Sequence, residues 1–241
     1  MKVILPVILS ILTISSTLSA ATYVTTSGAI QDILSMGGSA HSYSGDNLMP
    51  SANLSGANLT NADLFQADLT GADLAGAFLF TSFLNDADLT GANLSGAILT
   101  GADLGTANLS YANISDADLT GRVGLDNTDL TGADFTGADL TAAYLKNANL
   151  TDADLISADF SGADLTNANL TGADFTGAFL IGAIGVSSAT WTEAILEDAT
   201  LPDGYDQAWF ESQGATFVPE PSSYALLLGG LALGLVALRR R

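Results

Sequence analysis

The 241-residue chain contains no cysteine, which excludes disulfide staples and every thiolate-based metal or catalytic site. Cations are nearly as scarce: Lys and Arg together number 6 against 26 Asp and Glu, for a formal charge of −20. Lys2 stands at the N-terminus and three arginines at the C-terminus, so only Arg122 and Lys146 lie between. Such an anionic body repels a phosphate backbone, and a direct nucleic-acid partner is not expected. Histidine occurs once, as His41 within the Ser/Gly-rich stretch SAHSYSGD, which reads as solvated loop rather than as a general base. No GxSxG, HExxH, Walker or EF-hand pattern is found, and the expectation is a non-enzymatic protein with no cofactor and no metal.

The chain has long apolar runs only at its two ends. Lys2 is followed by an apolar stretch from Val3 to about Ile14 and by the small residues Ser19, Ala20 and Ala21, the order of a secretory signal peptide over residues 1–21. At the other end, Tyr224 to Leu238 would form a helix of about 22 Å at about 1.5 Å per residue. That is shorter than a hydrocarbon core of roughly 30 Å, but it spans if Arg239, Arg240 and Arg241 snorkel and Tyr224 sits at the opposite interface.

Between these ends the sequence keeps a beat of five. Leu recurs every fifth residue from Leu54 to Leu109, then Ile114 and Leu119. One residue is inserted near Arg122, and the beat resumes at Leu125 and runs to Leu180. The 26 units centre on 22 Leu, 3 Phe and 1 Ile, and Ala stands two places before the centre in all but three, where Ser82, Val123 and Thr128 replace it. Period five suits neither a helix, on which successive leucines drift by 140°, nor a flat strand, on which they alternate faces. The leucines share one interior only if the backbone corners once per unit, with the residues beside the centre pointing outward and the second residue after it making the corner. Sorting corners by every fourth unit leaves one column, Gln66, Asp86, Thr106, Asn127, Asn147 and Asn167, without glycine, while the other three hold all 13 corner glycines. A repeat of twenty residues, and so four sides, follows from that sorting.

The units A-(D/N)-(L/F)-(S/T)-G, such as Ala133-Asp134-Phe135-Thr136-Gly137, resemble the pentapeptide-repeat proteins over about Asn47 to Gly182. The resemblance implies an all-β protein, a right-handed four-sided parallel β-helix with short helical caps; the sequence departs from the pattern at the insertion near Arg122, which should give a bulged corner or small loop. The expected division is a signal peptide at 1–21, an N-terminal capping segment at 22–50, the β-helix at 51–182, a C-terminal cap at 183–218 and a sorting segment at 219–241. Ser27 to Gly38, with Ile30, Ile33 and Leu34 at helical spacing, reads as a short amphipathic capping helix. The stretch that keeps Trp191, Ile195, Leu196, Trp209 and Phe210 after the beat is lost reads as a last irregular coil, a turn at Pro202-Asp203-Gly204 and a short helix plugging the C-terminal end, with both Trp residues in the core of the cap.

Pro219-Glu220-Pro221, the apolar run and Arg239-Arg240-Arg241 together resemble a PEP-CTERM sorting signal. That resemblance implies an exosortase-type membrane enzyme that removes the tail, an inner-membrane intermediate, and a Gram-negative bacterium making extracellular polysaccharide. A plain single-span anchor is the alternative reading of the same residues.

Three surface features stand out. Phe78, Phe80 and Phe83 fall at outward positions with Ile98 one coil above Phe78, an apolar patch that suits either a partner or coverage by the N-terminal segment. Thr70, Thr90, Ser110, Thr131, Thr151 and Thr171 form one outward column, a candidate ladder for ice or polysaccharide, although Thr also simply favours strands. Asp134, Asp154 and Asp174 stack in one column and Asp118, Asp139 and Asp159 in another; most such Asp residues read as solvated or turn-bonded. The function expected is an exported structural or interaction protein of the cell surface or polysaccharide matrix. Its expected partners are exopolysaccharide, matrix proteins or a second copy of itself. The rival is an acidic DNA-mimicking rod that inhibits a topoisomerase, which the export signals disfavour.

Overall fold

A computed structural model describes residues 49–217 in full, together with the backbone of Thr22–Val24, Ile30–Asp32 and Leu34–Ser35. The signal-peptide residues, His41, the apolar tail and the motif Pro219-Glu220-Pro221 with Arg239 to Arg241 lie outside the described residues. Among the described residues no helix is long and apolar enough to cross a membrane.

Five-residue periodicity becomes geometry at the corners. All 26 corner residues have positive φ, 13 of them glycine and 13 not. A left-handed residue at every fifth position turns the chain by a quarter, and the centre residue and the Ala two places before it then face a common axis. The centre side chains from Leu54 to Leu180 are all buried, as are Ala from Ala62 onward through the repeats. Small Ala beside large Leu is what lets four walls close round a narrow axis. The three exceptions are accommodated: Val123 is buried, Ser82 Oγ donates to Leu79 O at 2.7 Å, and Thr128 Oγ1 donates to Leu104 O at 3.0 Å.

Every coil pairs with the next through parallel bridges at the residue before each centre, spaced by 20 residues, or by 21 across an insertion. Four columns of bridges define four faces. Face I runs Asn53, Asp73, Asn93, Asn113, Asp134, Asp154, Asp174, Ile195, Thr216; face II runs Asn58, Phe78, Ile98, Asp118, Asp139, Asp159, Phe179, Thr200. Face III runs Asp63, Phe83, Asp103, Gly124, Tyr144, Asp164, Ile184, and face IV runs Asp68, Asp88, Asn108, Asp129, Asn149, Asn169, Thr190. The fold is therefore a right-handed four-sided parallel β-helix. Face I has nine levels, about 38 Å at about 4.8 Å per level. The coiling thus continues past the last regular unit, through Thr190, Ile195 and Thr200 to Thr216.

Two insertions are absorbed at corners. Gly121 and Arg122 both take positive φ, which makes a one-residue bulge as the sequence predicts. A second lies where the beat fades: Gly185 (φ 75) caps a 3-10 turn, Val186–Ser188, which drops Val186 into the core. A Cβ on Gly185 would collide with the backbone of Thr166, so the position requires glycine.

The ends differ from each other. At the C-terminal end, the helix α1 (Gln207–Ser212) is capped by Asp206 Oδ1, which accepts from Trp209 N at 2.9 Å. It sets Phe210 edge-on to Trp191 at 4.8 Å, over a line of rings continuing to Phe175 and Phe160 at 5.4 and 5.5 Å. Trp191 is fully buried and donates its indole N–H to Val186 O at 2.9 Å. Ile195 departs from the sequence reading: it occupies an outward bridging position and is only half-buried. At the N-terminal end the expected helix over Ser27 to Gly38 is not what is found. Strands β1 (Thr22–Val24) and β2 (Ile30–Asp32) pair antiparallel, and β3 (Leu34–Ser35) pairs antiparallel with β4 (Ala62–Asp63) of the first coil. The reason is tertiary: no earlier coil covers that edge of the first coil, and an extended segment supplies the missing pairing.

Candidate functional site

Apolar side chains fill the interior of the rod, and the chemistry of its surface follows from an accounting of backbone donors. In the unit from Asp129 to Ala133, Asp129 N donates to Ala107 O of the preceding coil at 3.0 Å. Leu130 N and Gly132 N donate to Asn149 O and Thr151 O of the following coil at 2.7 and 2.9 Å, and Ala133 N closes the turn on Leu130 O at 3.1 Å. One donor remains, Thr131 N, and the Asp129 carboxylate accepts it at 3.1 Å. The same lock recurs wherever Asp or Asn precedes the centre, at faces I to IV alike, as at Asn53, Asp73, Asp103, Asp139 and Asp174. The Asp and Asn columns are thus turn-bonded structural groups, and the Asp134, Asp154, Asp174 and Asp118, Asp139, Asp159 stacks are tied down in this way. Among the described residues no group of His, Cys, Asp or Glu is arranged to hold a metal ion.

Face IV carries the Thr column, and the structure brings all six residues into one row. Their hydroxyls do not point free into solvent. Thr70, Thr90, Ser110, Thr131, Thr151 and Thr171 donate to Asp68, Asp88, Asn108, Asp129, Asn149 and Asn169 at 2.6–2.8 Å. In the C-terminal half the row becomes a relay along the rod. Asn169 Nδ2 donates to Thr151 Oγ1 and Asn149 Nδ2 to Thr131 Oγ1, both at 2.8 Å, so that donors run from Thr171 to the Asp129 carboxylate. Asn suits the interior of that relay because it both donates and accepts, whereas stacked Asp would only repel. The glycine-free corner column behaves alike: Asn167 donates to Asn147 at 3.2 Å and Asn147 to Asn127 at 3.0 Å.

Among the described residues, Asp118, on face II, is the one carboxyl that departs clearly from ordinary acidity. Burial pushes its pKa up, but the Thr120 hydroxyl, the Thr120 N–H and the Thr100 hydroxyl more than offset this and hold it below the usual value.

The apolar patch is real but uneven. Phe78 and Phe80 are exposed, while Phe83 and Ile98 are half-buried in their columns. Here the lock is missing, because Phe78, Phe83 and Ile98 have no side-chain acceptor. Among the described residues, the N–H groups of Phe80, Asn85 and Thr100 have no acceptor in the protein. A second patch, Phe179, Ile181 and Ile184, is equally exposed near the C-terminal end, and sequence reasoning missed it. The signal was available, since Ala178-Phe179-Leu180-Ile181 repeats the layout of Ala77-Phe78-Leu79-Phe80.

Comparison with known proteins agrees with this architecture. Residues 51–86, 87–121, 125–155 and 148–184, more than half of the chain, match the pentapeptide-repeat family model, and residues 217–241 match that of the PEP-CTERM protein-sorting motif. No curated protein gives a significant match. Among solved structures, the chain is similar to HetL, a pentapeptide repeat protein involved in heterocyst differentiation regulation in the cyanobacterium Nostoc. The identity is 38%, over 68% of this chain and 65% of HetL, with a TM-score of 0.31. It is similar to a pentapeptide repeat protein of the Arabidopsis thaliana thylakoid lumen, with 33% identity over 56% of this chain and 80% of that one and a TM-score of 0.32. It is also similar to QnrB1, a plasmid-mediated fluoroquinolone resistance protein, with 19% identity over 76% and 98% and a TM-score of 0.33. The repeat of five, the four bridged faces and the family match lead to one conclusion: the chain belongs to the pentapeptide-repeat family and carries a PEP-CTERM sorting motif at its C-terminus.

Proposed function

We propose that this protein is an exported, non-enzymatic structural or interaction protein of the bacterial cell surface or extracellular polysaccharide matrix. The observation that carries the reading is the union of the two matches in one chain: a sorting motif at residues 217–241 on a rod built at 51–184. The motif implies export and membrane-associated sorting, and an exosortase-type enzyme is the processing partner it suggests. The rod supplies a stiff anionic surface of Asp, Asn and Thr whose side chains are already tied into the backbone. A ligand such as exopolysaccharide would meet it with little ordering cost. On face IV the Thr hydroxyls donate inward, so binding there would use their remaining lone pairs, their methyl groups and the outer Asp oxygens.

The test is fractionation of cells expressing the full chain, with both termini of the mature protein sequenced, in the presence and absence of the exosortase-type enzyme. The expected result is a chain trimmed at both ends in the surface or matrix fraction, which stays untrimmed in the membrane when the enzyme is missing. Untrimmed protein in the cytoplasm would overturn the reading and revive the DNA-mimic alternative.

A further inference from the structure

Two apolar clusters of one layout stand on one corner of the rod. In each, two side chains lie on face II and the next outward one on face III: Phe78, Phe80 and Phe83 at one end, Phe179, Ile181 and Ile184 at the other. Phe78 and Phe80 are 45% and 46% exposed, and Phe179, Ile181 and Ile184 are 45%, 52% and 56% exposed. The clusters are five bridged levels apart, about 24 Å at about 4.8 Å per level. The corner between them is low, formed by Gly101, Gly121, Ala142 and Gly162, with a single large residue at its midpoint. That residue is Arg122, the one arginine among the described residues, and it is exposed.

We propose that this corner is the contact surface for a second, antiparallel copy of the chain. A two-fold axis perpendicular to the rod, between the levels of Arg122 and Ala142, keeps face II beside face II and face III beside face III. It sets each N-terminal cluster against the C-terminal cluster of the other copy, at both ends of one closed, isologous contact. The same operation carries Arg122 to the level of the second copy's Asp139 and Tyr144. The cation stands where two anionic rods must approach, and it can meet a carboxylate and a ring there. That charge match at the midpoint, with matched apolar clusters on either side, is what selects a second copy as occupant over an unrelated partner. A strip this narrow falls near the lower limit of specific interfaces, about 1,000 Å² in total, so the dimer is weak and reversible. The proposal does not depend on the export reading.

The absence of cysteine makes a clean experiment. Differently tagged full-length chains carrying Phe80→Cys or Ile181→Cys are co-expressed, and whole-cell lysates are treated with a short bismaleimide. Mixed-tag covalent dimers are expected from the pair, about tenfold above either variant alone, because only unlike ends meet across the axis. Ala142→Cys, close to the axis, is expected to link to itself. A chain carrying both Phe80→Cys and Ile181→Cys is expected to stop at dimers. Arg122→Glu is expected to lower the mixed yield several-fold, and adding Asp139→Arg to restore it. Cooperative melting confirms that the variants fold, with Asp139→Arg expected to melt slightly lower because it also removes the acceptor of the Thr141 amide. Equal linking by Phe80→Cys alone would overturn the proposal, as would a ladder of higher oligomers, which means head-to-tail filaments. So would folded variants that do not link at all, which means that another segment covers the clusters.

Discussion

Faces IV and II are laid on the same backbone and differ in one respect. On face IV an Asp or Asn precedes every centre from Leu69 to Leu170, and the amide two places on is bonded to it each time. On face II that position is Phe78, Ile98 and Phe179 at the two ends, and the amides of Phe80, Thr100 and Ile181 have no acceptor among the described residues. The core beneath is equally buried in both places. The difference teaches that Leu and Ala build the rod, whereas the residue before the centre decides whether a level is sealed or left open for contact. Face II gives up local hydrogen bonding at its ends and gains exposed apolar surface there.

If the core is indifferent to the face above it, truncation should cost the same on both. Leu130→Ala beneath a sealed level of face IV and Leu99→Ala beneath the open Ile98 level of face II are each expected to lose about 2–5 kcal/mol by chemical denaturation. A difference larger than the scatter of replicate melts would break the comparison at its base. Overpacking should also be equal: Ala138→Leu is expected to cost about 1–3 kcal/mol, because the narrow axis has no room for a second large side chain.

Removing a lock comes next in size. Asp129→Ala frees Thr131 N and leaves the relay from Thr171 without its terminal acceptor, with an expected loss of about 1 kcal/mol. The converse change on face II should stabilise. Phe179→Asn offers an acceptor to the Ile181 amide and removes an exposed ring, and a gain of about 0.5–1 kcal/mol is expected by thermal melting. A loss instead would show that the Phe ring is packed in the free chain.

The smallest effect is electrostatic. Asp118 is held more acidic than usual, so its charged form stabilises the fold at neutral pH. That contribution is present above the unfolded-state pKa, about 3.9, and is lost as pH falls through the lower folded value. The melting temperatures of the wild type and Asp118→Asn should differ slightly at neutral pH and converge in strong acid. Thr120→Val should move the Asp118 carboxyl titration, followed by NMR, back toward ordinary acidity.

Much of this was legible in the sequence, for a physical reason. Period five admits one compact solution, so the centres, the corners and the four columns followed from Leu54 to Leu180 without coordinates. The column from Gln66 to Asn167 was visible as lacking glycine, but not that its Asn side chains ladder along the rod. The locks were harder to see: the orphaned amide belongs to the backbone accounting of three coils at once, and periodicity alone does not show it. The pattern also fades near Gly185, and periodicity does not show the 3-10 turn that drops Val186 into the core. At the other end, Ile30 and Leu34 belong to a helically spaced pattern, yet Ile30 pairs with Val24 and Leu34 with Asp63 at the open edge of the first coil, both as strand. The site was half legible: the Phe78 cluster was noticed, but its counterpart at Phe179 shows only when the two ends are laid over each other.

The contrast between sealed and open levels is tested most directly by residue-resolved amide hydrogen exchange under native conditions. The amides of Thr131, Thr151 and Thr171 should be strongly protected, while those of Phe80, Thr100 and Ile181 should exchange orders of magnitude faster within the same rod. Equal protection at the two sets would contradict the account.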